Sequence, residues 1–153
     1  MPMGPASGAV PGLTASASLA VTEGDTASAL RTGDVPVLAT PRLVALCEEA
    51  TCRALDGHLP PGRTSVASRV QFDHLAPVPV GCDVEAEATL ERVEGRRLVF
   101  TVTTTLHSRD RTGLVGAGRV TRVVVERPAF LTKARCPERV PEPVAGVPPF
   151  PEP

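Results

Sequence analysis

Three consecutive strand-like segments, separated by two short turns, most restrict what this chain can fold into; the first alternates polar and apolar residues, and the second is rich in β-branched residues. The segments cover residues 82–93, 96–108 and 114–127, and the turns lie at 94–95 and 109–113. Alternation with a period of two is typical of half-buried β-strands. Because strands joined by such short turns pair with their neighbours, these residues predict an antiparallel meander.

A single helical pattern precedes this meander. Residues 40–57 carry one apolar stripe and end at a glycine, which is typical of an amphipathic helix. Residues 13–23 and 64–74 have strand patterns, whereas residues 24–39, with two Gly-Asp pairs and a proline, predict a loop. One helix against an antiparallel sheet of about five strands is an α+β architecture. Because one helix covers only one face of the sheet, we expect two copies to dimerise by joining edge strands.

The length and the distribution of prolines suggest the domain organisation. A chain of 153 residues suits one domain with one core. Residues 1–12 are rich in Pro, Gly and Ala, which predicts a disordered N-terminal segment, and residues 13–133 form the predicted domain. Eight prolines lie between residue 128 and the end of the sequence. We therefore expect residues 134–153 to form an irregular, proline-rich tail.

Charge and cysteine content argue against several classes of function. The 16 basic and 17 acidic residues give a net charge of -1, so we expect neither a nucleic acid nor a membrane as partner. The sequence has no run of about 18 apolar residues and no signal-peptide pattern, and a cytoplasmic location is expected. The four cysteines lack the spacing of a metal site, so we predict packed free thiols, no metal and no cofactor.

Three polar residues stand out against these patterns. His74 ends the strand pattern of residues 64–74. Alternation places it on one face with Val66, Ser68, Val70 and Phe72, opposite a wetter face of Ser65, Ala67, Arg69, Gln71 and Asp73. Glu48 lies among apolar and small helix neighbours, where a carboxylate needs a partner. Thr40 is the predicted helix N-cap, with Pro41 in the first helical position.

Each of these residues has a purely structural interpretation as well. His74 could be a tolerated polar residue at a strand end, and Thr40 could serve only to cap the helix. Taken together, a histidine, a carboxylate and a hydroxyl suit acid–base chemistry on an activated carbonyl. The N–H groups at the helix start would favour negative charge developing there.

Two other features have structural explanations. The glycines of "GLVGAG" fall within a predicted strand and lack the spacing of a phosphate loop, which indicates a bulge or a close backbone approach. The arginines of the last two strands are expected to be solvated strand-end charges, although a phosphate-bearing ligand could use some of them. These are Arg96, Arg97, Arg119 and Arg122.

Four stretches resemble the hotdog-fold thioesterases, and among these the fluoroacetyl-CoA thioesterase-like family. They read "VLATPRLVALCEEATCRAL", "TSVASRVQFDHLAPVPVG", "ATLERVEGRRLVFTV" and "GAGRVTRVVV", and the resemblance covers residues 13–133. It implies a hotdog fold, in which the sheet wraps one long helix. It also implies hydrolysis of a short acyl-CoA or related thioester, in a homodimer that could pair further into a tetramer.

The resemblance also suggests a role for individual residues. Thr40, Glu48 and His74 match the hydrolytic residues of the family. Ala67 stands where the family usually has a glycine whose backbone amide faces the thioester carbonyl, and Arg122 matches an arginine of the last strand that we assign to substrate binding. The fluoroacetyl-specific enzyme has an aromatic lid, whereas residues 24–39 contain no aromatic side chain, so we do not expect fluoroacetyl specificity.

Two other hotdog functions remain as alternatives. The first is a non-catalytic protein that binds an acyl thioester or a small hydrophobic ligand, which the alanine at position 67 and the absence of an aromatic lid favour slightly. The second is a hydroxyacyl thioester dehydratase. The dehydratase pattern of an acidic residue near a histidine is not found, because Asp73 alternates to the face opposite His74.

Overall fold

The computed structural model describes residues 8–137, which form one five-stranded antiparallel sheet with a long helix against it. The strands are β1 (Thr14–Ala20), β2 (Arg63–His74), β3 (Asp83–Glu94), β4 (Arg97–His107) and β5 (Thr112–Glu126). The helices are α1 (Ala27–Leu30), α2 (Thr40–Leu55) and α3 (Arg127–Lys133), and Glu23–Asp25 forms a short 3-10 helix. The predicted α+β class is confirmed.

The sheet has the strand order β1-β3-β4-β5-β2. β3, β4 and β5 are consecutive in sequence and pair antiparallel, which confirms the predicted meander. β1 pairs with β3 and β2 pairs with β5, so β1 and β2 are the two edge strands. One side of β2 therefore pairs with no strand among residues 8–137.

The core lies between α2 and one face of the sheet, and α2 packs mainly on β1 and β3. The predicted apolar stripe of the helix is buried: Leu43, Leu46, Cys47, Ala50 and Ala54. It meets inward side chains of the strands such as Phe100, which is also fully buried. Burial of one leucine side chain contributes about 1.5–3 kcal/mol, so this stripe is sufficient to seat the helix on the sheet.

The start of α2 differs from the prediction by one residue. Ala39 is the N-cap, Thr40 is the first helical residue, and Pro41 is the second. The side chain of Thr40 therefore caps no backbone N–H group, and its hydroxyl is available for another partner. The expectation that Thr40 is the N-cap is wrong.

Three further segments are more regular than predicted. The 3-10 helix begins one residue before the predicted loop at 24–39, α1 lies within that loop, and α3 forms the last residues of the predicted domain, where no helix was expected. Pro128 lies in the first turn of α3, where its missing N–H group costs no hydrogen bond. Ala9 belongs to the predicted disordered segment but is fully buried, and Gly12 donates its N–H to the Leu90 carbonyl.

The remainder of the predicted terminal segments, residues 1–7 and 138–153, lies outside the described residues. Within residues 8–137, no helix has the length and apolar character that crossing a membrane requires.

A β-bulge in β2 reverses part of the predicted alternation. The register shifts between Ala67 and Arg69, so that Ala67 lies opposite Arg122 and Arg69 lies opposite Thr121. Before the bulge, Ser65 and Ala67 face the helix, and Val66 does not, because residues directly opposite in a sheet share a face. After the bulge, Val70, Phe72 and His74 face the helix, as the alternation predicted.

Candidate active site

His74 and Thr40 are brought together where the end of β2 meets the start of α2. Thr40 Oγ1 lies 2.8 Å from His74 Nδ1, within hydrogen-bond distance. The other ring nitrogen, Nε2, is buried and has no hydrogen-bond partner among the described residues. A buried ring nitrogen without a partner can accept or release a proton without first breaking a protein hydrogen bond.

Two glycines of β5 make room for this arrangement. Gly116 lies opposite His74, and Gly118 lies opposite Phe72. A Cβ atom at Gly116 would lie 2.5 Å from the Phe72 ring and 2.7 Å from the Asp73 carbonyl oxygen. A Cβ atom at Gly118 would collide with the carbonyl oxygen of Gln71. The predicted close backbone approach at "GLVGAG" is confirmed.

A cavity of about 500 Å³ opens beside the Thr40–His74 pair. One wall comes from the segment between α1 and α2, and the other from the residues that follow His74. Its lining consists of Ala27, Thr32, Gly33, Val35, Val37, Leu38, Thr40, Pro41, His74, Leu75, Ala76 and Pro77. A substrate in this cavity would lie against both Thr40 and His74.

Glu48 belongs to a second cluster, centred on Arg122. The Arg122 guanidinium donates from Nε to Ser65 Oγ at 2.9 Å and from Nη2 to the Ser65 carbonyl oxygen at 3.0 Å. Its Nη1 lies 3.4 Å from Thr51 Oγ1 and 4.0 Å from Glu48 Oε1. Thr51 in turn donates its hydroxyl to the Glu48 carbonyl oxygen at 2.6 Å. This cluster therefore holds both the backbone and the side chain of Glu48.

The expectation that Arg122 is a solvated charge is wrong, because the residue is only 6% exposed. Its two side-chain partners, Ser65 and Thr51, were not among the predicted site residues. A signal was present: a charged residue at an inward position of a strand needs buried hydrogen-bond acceptors nearby. The bulge, however, concealed that Ser65 shares the inward face.

Within one chain the two clusters are separate. Glu48 follows Thr40 by eight residues of α2, a distance of about 12 Å along a helix axis. The described residues show no hydrogen bond or ion pair between Glu48 and His74. The structure thus joins two of the three predicted hydrolytic residues and places the third elsewhere on the helix.

Ala67 lies next to the bulge of β2, on the same half of the strand as Ser65 and opposite Arg122. Its side chain packs partly buried against the core. Its backbone belongs to an edge strand of the sheet.

All four cysteines lie among the described residues and are free. Burial raises the pKa of the Cys47 thiol to about 12, and the adjacent Glu48 carboxylate adds to this shift. Cys52 and Cys136 are exposed rather than packed, which differs from the prediction.

Within residues 8–137, no group of His, Cys, Asp and Glu side chains has the arrangement of a metal site.

A group of exposed arginines lies on the sheet face that points away from α2. Arg69, Arg92, Arg97 and Arg119 line a shallow cavity of about 370 Å³ there. Arg92 pairs with Glu94 at 2.8 Å, and Arg119 lies 3.5 Å from Glu91. These arginines face the opposite side of the sheet from His74.

Comparison with known proteins identifies the family. The model of the fluoroacetyl-CoA-specific thioesterase family matches residues 21–128. This chain belongs to that family. A curated relative, the fluoroacetyl-CoA thioesterase of Streptantibioticus cattleyicolor, is 35% identical over 99 residues, which are 65% of this chain and 68% of the relative. The predicted family and thioesterase activity are confirmed.

Solved structures support the same assignment. A mutant of the fluoroacetyl-CoA thioesterase, in complex with acetyl-CoA, is 29% identical with a TM-score of 0.71, covering 82% of this chain and 96% of that one. A hot-dog-like protein from Thermanaerovibrio acidaminovorans is 27% identical with a TM-score of 0.72, covering 80% and 88% of the two chains. The predicted hotdog fold is confirmed.

Proposed function

We propose that this thioesterase hydrolyses acyl-CoA thioesters, with His74 as the general base, at a site that two subunits complete together. The observation that carries the proposal is the geometry of His74. Its Nδ1 lies within hydrogen-bond distance of Thr40 Oγ1, its buried Nε2 has no partner among residues 8–137, and the residue lines a cavity. Two relatives support the choice of coenzyme A: one is named a fluoroacetyl-CoA thioesterase, and one structure holds acetyl-CoA.

His74 and Thr40 have complementary tasks in this reaction. With the proton on Nδ1, His74 donates to Thr40 Oγ1, and Thr40 keeps its own hydroxyl proton for the thioester oxygen. Nε2 takes a proton from water as the water oxygen attacks the carbonyl carbon. The tetrahedral intermediate then loses the CoA thiolate as its C–S bond breaks, and the thiolate takes the proton back from Nε2. Thr40 stabilises the negative oxygen of the intermediate.

Pairing of two β2 edges would bring Glu48 to this site. β2 runs from Arg63 to His74, and one of its edges pairs with no strand in the part of the chain that the structure describes. In a two-fold antiparallel pair of β2 strands, the end of one strand lies opposite the beginning of the other. His74 of one subunit would then face the half of β2 that carries Ser65, beside the cluster of Glu48 and Arg122 in the partner subunit.

This arrangement gives a role to each remaining predicted residue. Glu48 of the partner subunit orients the attacking water, and Arg122 of the partner subunit holds that carboxylate and contacts the substrate from the same cluster. The Ala67 amide of the partner subunit donates to the thioester oxygen. We propose a homodimer as the minimal active form for this reason.

We also propose a cytoplasmic location for the enzyme. All four cysteines are free, including exposed Cys52 and Cys136, and free exposed thiols are typical of proteins in a reducing compartment. CoA thioesters would be met there as substrates.

The test of the proposed function is thiol release from a panel of acyl-CoAs, by wild type and by His74→Ala. We expect turnover of at least one acyl-CoA, and a loss of at least about 100-fold in kcat/KM for the variant, since a general base contributes that much. His107→Ala is the matched control, because His107 also ends a strand but is exposed and away from the cavity.

Two results would contradict the proposal. If wild type released no thiol from any acyl-CoA while folded as a dimer, the protein would be a binding protein instead. If His74→Ala retained kcat/KM within about threefold of wild type, His74 would not be the base.

A further inference from the structure

The cavity beside His74 has no charged side chain that could meet a charged substrate. No lysine, arginine, aspartate or glutamate lines it, and its polar groups are those of His74, Thr40 and Thr32. A second carboxylate on the acyl group would lose its hydration there without gaining a cation. The lining thus favours an uncharged acyl group.

The mouth of this cavity exposes large apolar side chains. Val35 is 49% exposed and Leu75 is 61% exposed, and they stand on the two opposing walls. Apolar surface left in water at a cavity mouth is stabilised when an apolar ligand covers it. These two residues are therefore positioned to pack against a hydrocarbon group that enters between the walls.

The volume of the cavity exceeds the needs of a two-carbon acyl group. A dry cavity of about 150 Å³ accommodates a benzene ring, whereas this cavity measures about 500 Å³. Its lining contains no Phe, Tyr or Trp side chain, so His74 supplies the only aromatic ring among the lining residues. An acetyl or fluoroacetyl group would fill only a small part of it.

From these three observations we infer that the preferred substrates carry an uncharged, branched-chain or aromatic acyl group, which lies between Val35 and Leu75. The inference rests on the proposed function and specifies its acyl group. Val35 is a specificity-determining residue, because its side chain enters the cavity from the loop before α2.

The test compares kcat/KM for isovaleryl-, benzoyl-, acetyl-, fluoroacetyl- and succinyl-CoA. We expect isovaleryl- or benzoyl-CoA to exceed acetyl- and fluoroacetyl-CoA by at least about tenfold, because each methylene in an apolar pocket contributes at least about that factor. We expect succinyl-CoA to be at least about tenfold poorer than isovaleryl-CoA because its carboxylate is unpaired.

A substitution at the cavity mouth tests the location of the acyl group. Val35→Phe should lower the ratio of isovaleryl to acetyl turnover by at least about threefold, since the larger side chain takes up acyl space. Val10→Phe is the matched control, because Val10 is 51% exposed and does not line the cavity. This control should leave the ratio unchanged.

The inference would be overturned by acetyl- or fluoroacetyl-CoA being preferred, by efficient hydrolysis of succinyl-CoA, or by equal ratios in the two valine variants. Failure of the proposed function is recognised separately, as absence of thiol release from every acyl-CoA. In that case the inference is tested by thermal unfolding of wild type and Val35→Phe, each with benzoate and with acetate as ligands. A larger rise of Tm with benzoate than with acetate, lost in Val35→Phe, would support it, and equal shifts would overturn it.

Discussion

The two halves of β2 carry different kinds of polar chemistry. At its end, His74 has one side-chain hydrogen bond, to Thr40, and its Nε2 is left without a partner among the described residues. Near its beginning, Ser65 accepts two hydrogen bonds from Arg122, whose remaining contacts go to Thr51 and Glu48. The half that ends at His74 keeps a nitrogen atom available for a proton. In the half that contains Ser65, the polar atoms form hydrogen bonds with one another.

This difference indicates what each half contributes. An unpartnered buried nitrogen costs stability and is retained where a reaction needs it. A buried, well-bonded guanidinium fixes the geometry around it, and its removal leaves several groups unpaired. We therefore expect substitutions at the His74 end to affect turnover, and substitutions at the Arg122 end to affect folding as well.

The largest expected effect is the loss of turnover in His74→Ala without a matching loss of stability. We expect kcat/KM to fall by at least about 100-fold, while the free energy of unfolding changes by less than about 1 kcal/mol, because one hydrogen bond is lost. Thiol release and urea unfolding of the same preparation measure both. If the free energy of unfolding of His74→Ala fell by several kcal/mol, the His74 end of β2 would have a structural role like that of the Arg122 end.

In contrast to His74→Ala, Arg122→Ala should clearly lower the stability of the fold. We expect the free energy of unfolding to fall by about 2–3 kcal/mol, because the Ser65 and Thr51 acceptors lose a charged donor and a cavity remains. The matched control is Arg119→Ala on the same strand, which is exposed and should change stability by less than about 0.5 kcal/mol. Urea unfolding measures both variants, and equal effects would contradict a structural role for the Arg122 cluster.

Substitutions of Thr40 test whether its hydroxyl acts in turnover or only in capping the N-terminus of α2. Thr40→Val should lower kcat/KM by about 100-fold, since the donor to the negative oxygen of the intermediate is lost, and Thr40→Ser should restore most of it. The free energy of unfolding should change by less than about 1 kcal/mol, because only the hydrogen bond to His74 is lost and Ala39, not Thr40, is the N-cap. If Thr40→Val kept kcat/KM within about threefold of wild type, the Thr40 hydroxyl would not act in turnover.

The smallest expected effect concerns Asp25, which supports the start of α2. The Thr22 backbone N–H donates to its carboxylate at 2.8 Å, and Arg42 lies 3.1 Å away. These contacts, with the Thr22 N–H first, lower the pKa of Asp25 below its ordinary value of 3.8. A lowered pKa means that the ionised group stabilises the fold above pH 3.8, and this stabilisation is lost as the pH falls through the lowered value.

We therefore expect Asp25→Asn to reduce the free energy of unfolding by about 0.5–1 kcal/mol at pH 7. The difference from wild type should shrink as the pH falls below 3.8. Urea unfolding across this range measures it, and a difference that did not depend on pH would show that the carboxylate charge is not involved.

The sequence predicted the elements of the fold because their patterns are local. The stripe of α2 and the alternation of β3–β5 can be detected within short windows, and the structure confirms both. The bulge between Ala67 and Arg69 could not be predicted, because no glycine or proline marks it and the alternation continues through it. The inward face was consequently assigned incorrectly for Ser65 and Ala67.

The candidate site was predictable only in part, for a related reason. His74 and Glu48 were recognised as polar residues on apolar faces, a local signal. Arg122 was interpreted as solvated because its partners Ser65 and Thr51 lie 57 and 71 residues away in the sequence. Contacts over such separations depend on strand register, which composition and periodicity do not provide.

The central claim is that His74 of one subunit works with Glu48 of the partner subunit. The most direct test co-expresses His74→Ala with Glu48→Gln, since a mixed dimer contains one site in which both residues are intact. We expect recovery of roughly a quarter of wild-type thiol release, because random pairing makes half the dimers mixed, with one intact site each. Mixing His74→Ala with Thr40→Val, whose residues pair with each other within one subunit, should give no recovery. Activity of the first mixture no higher than that of its separate variants would contradict the shared site.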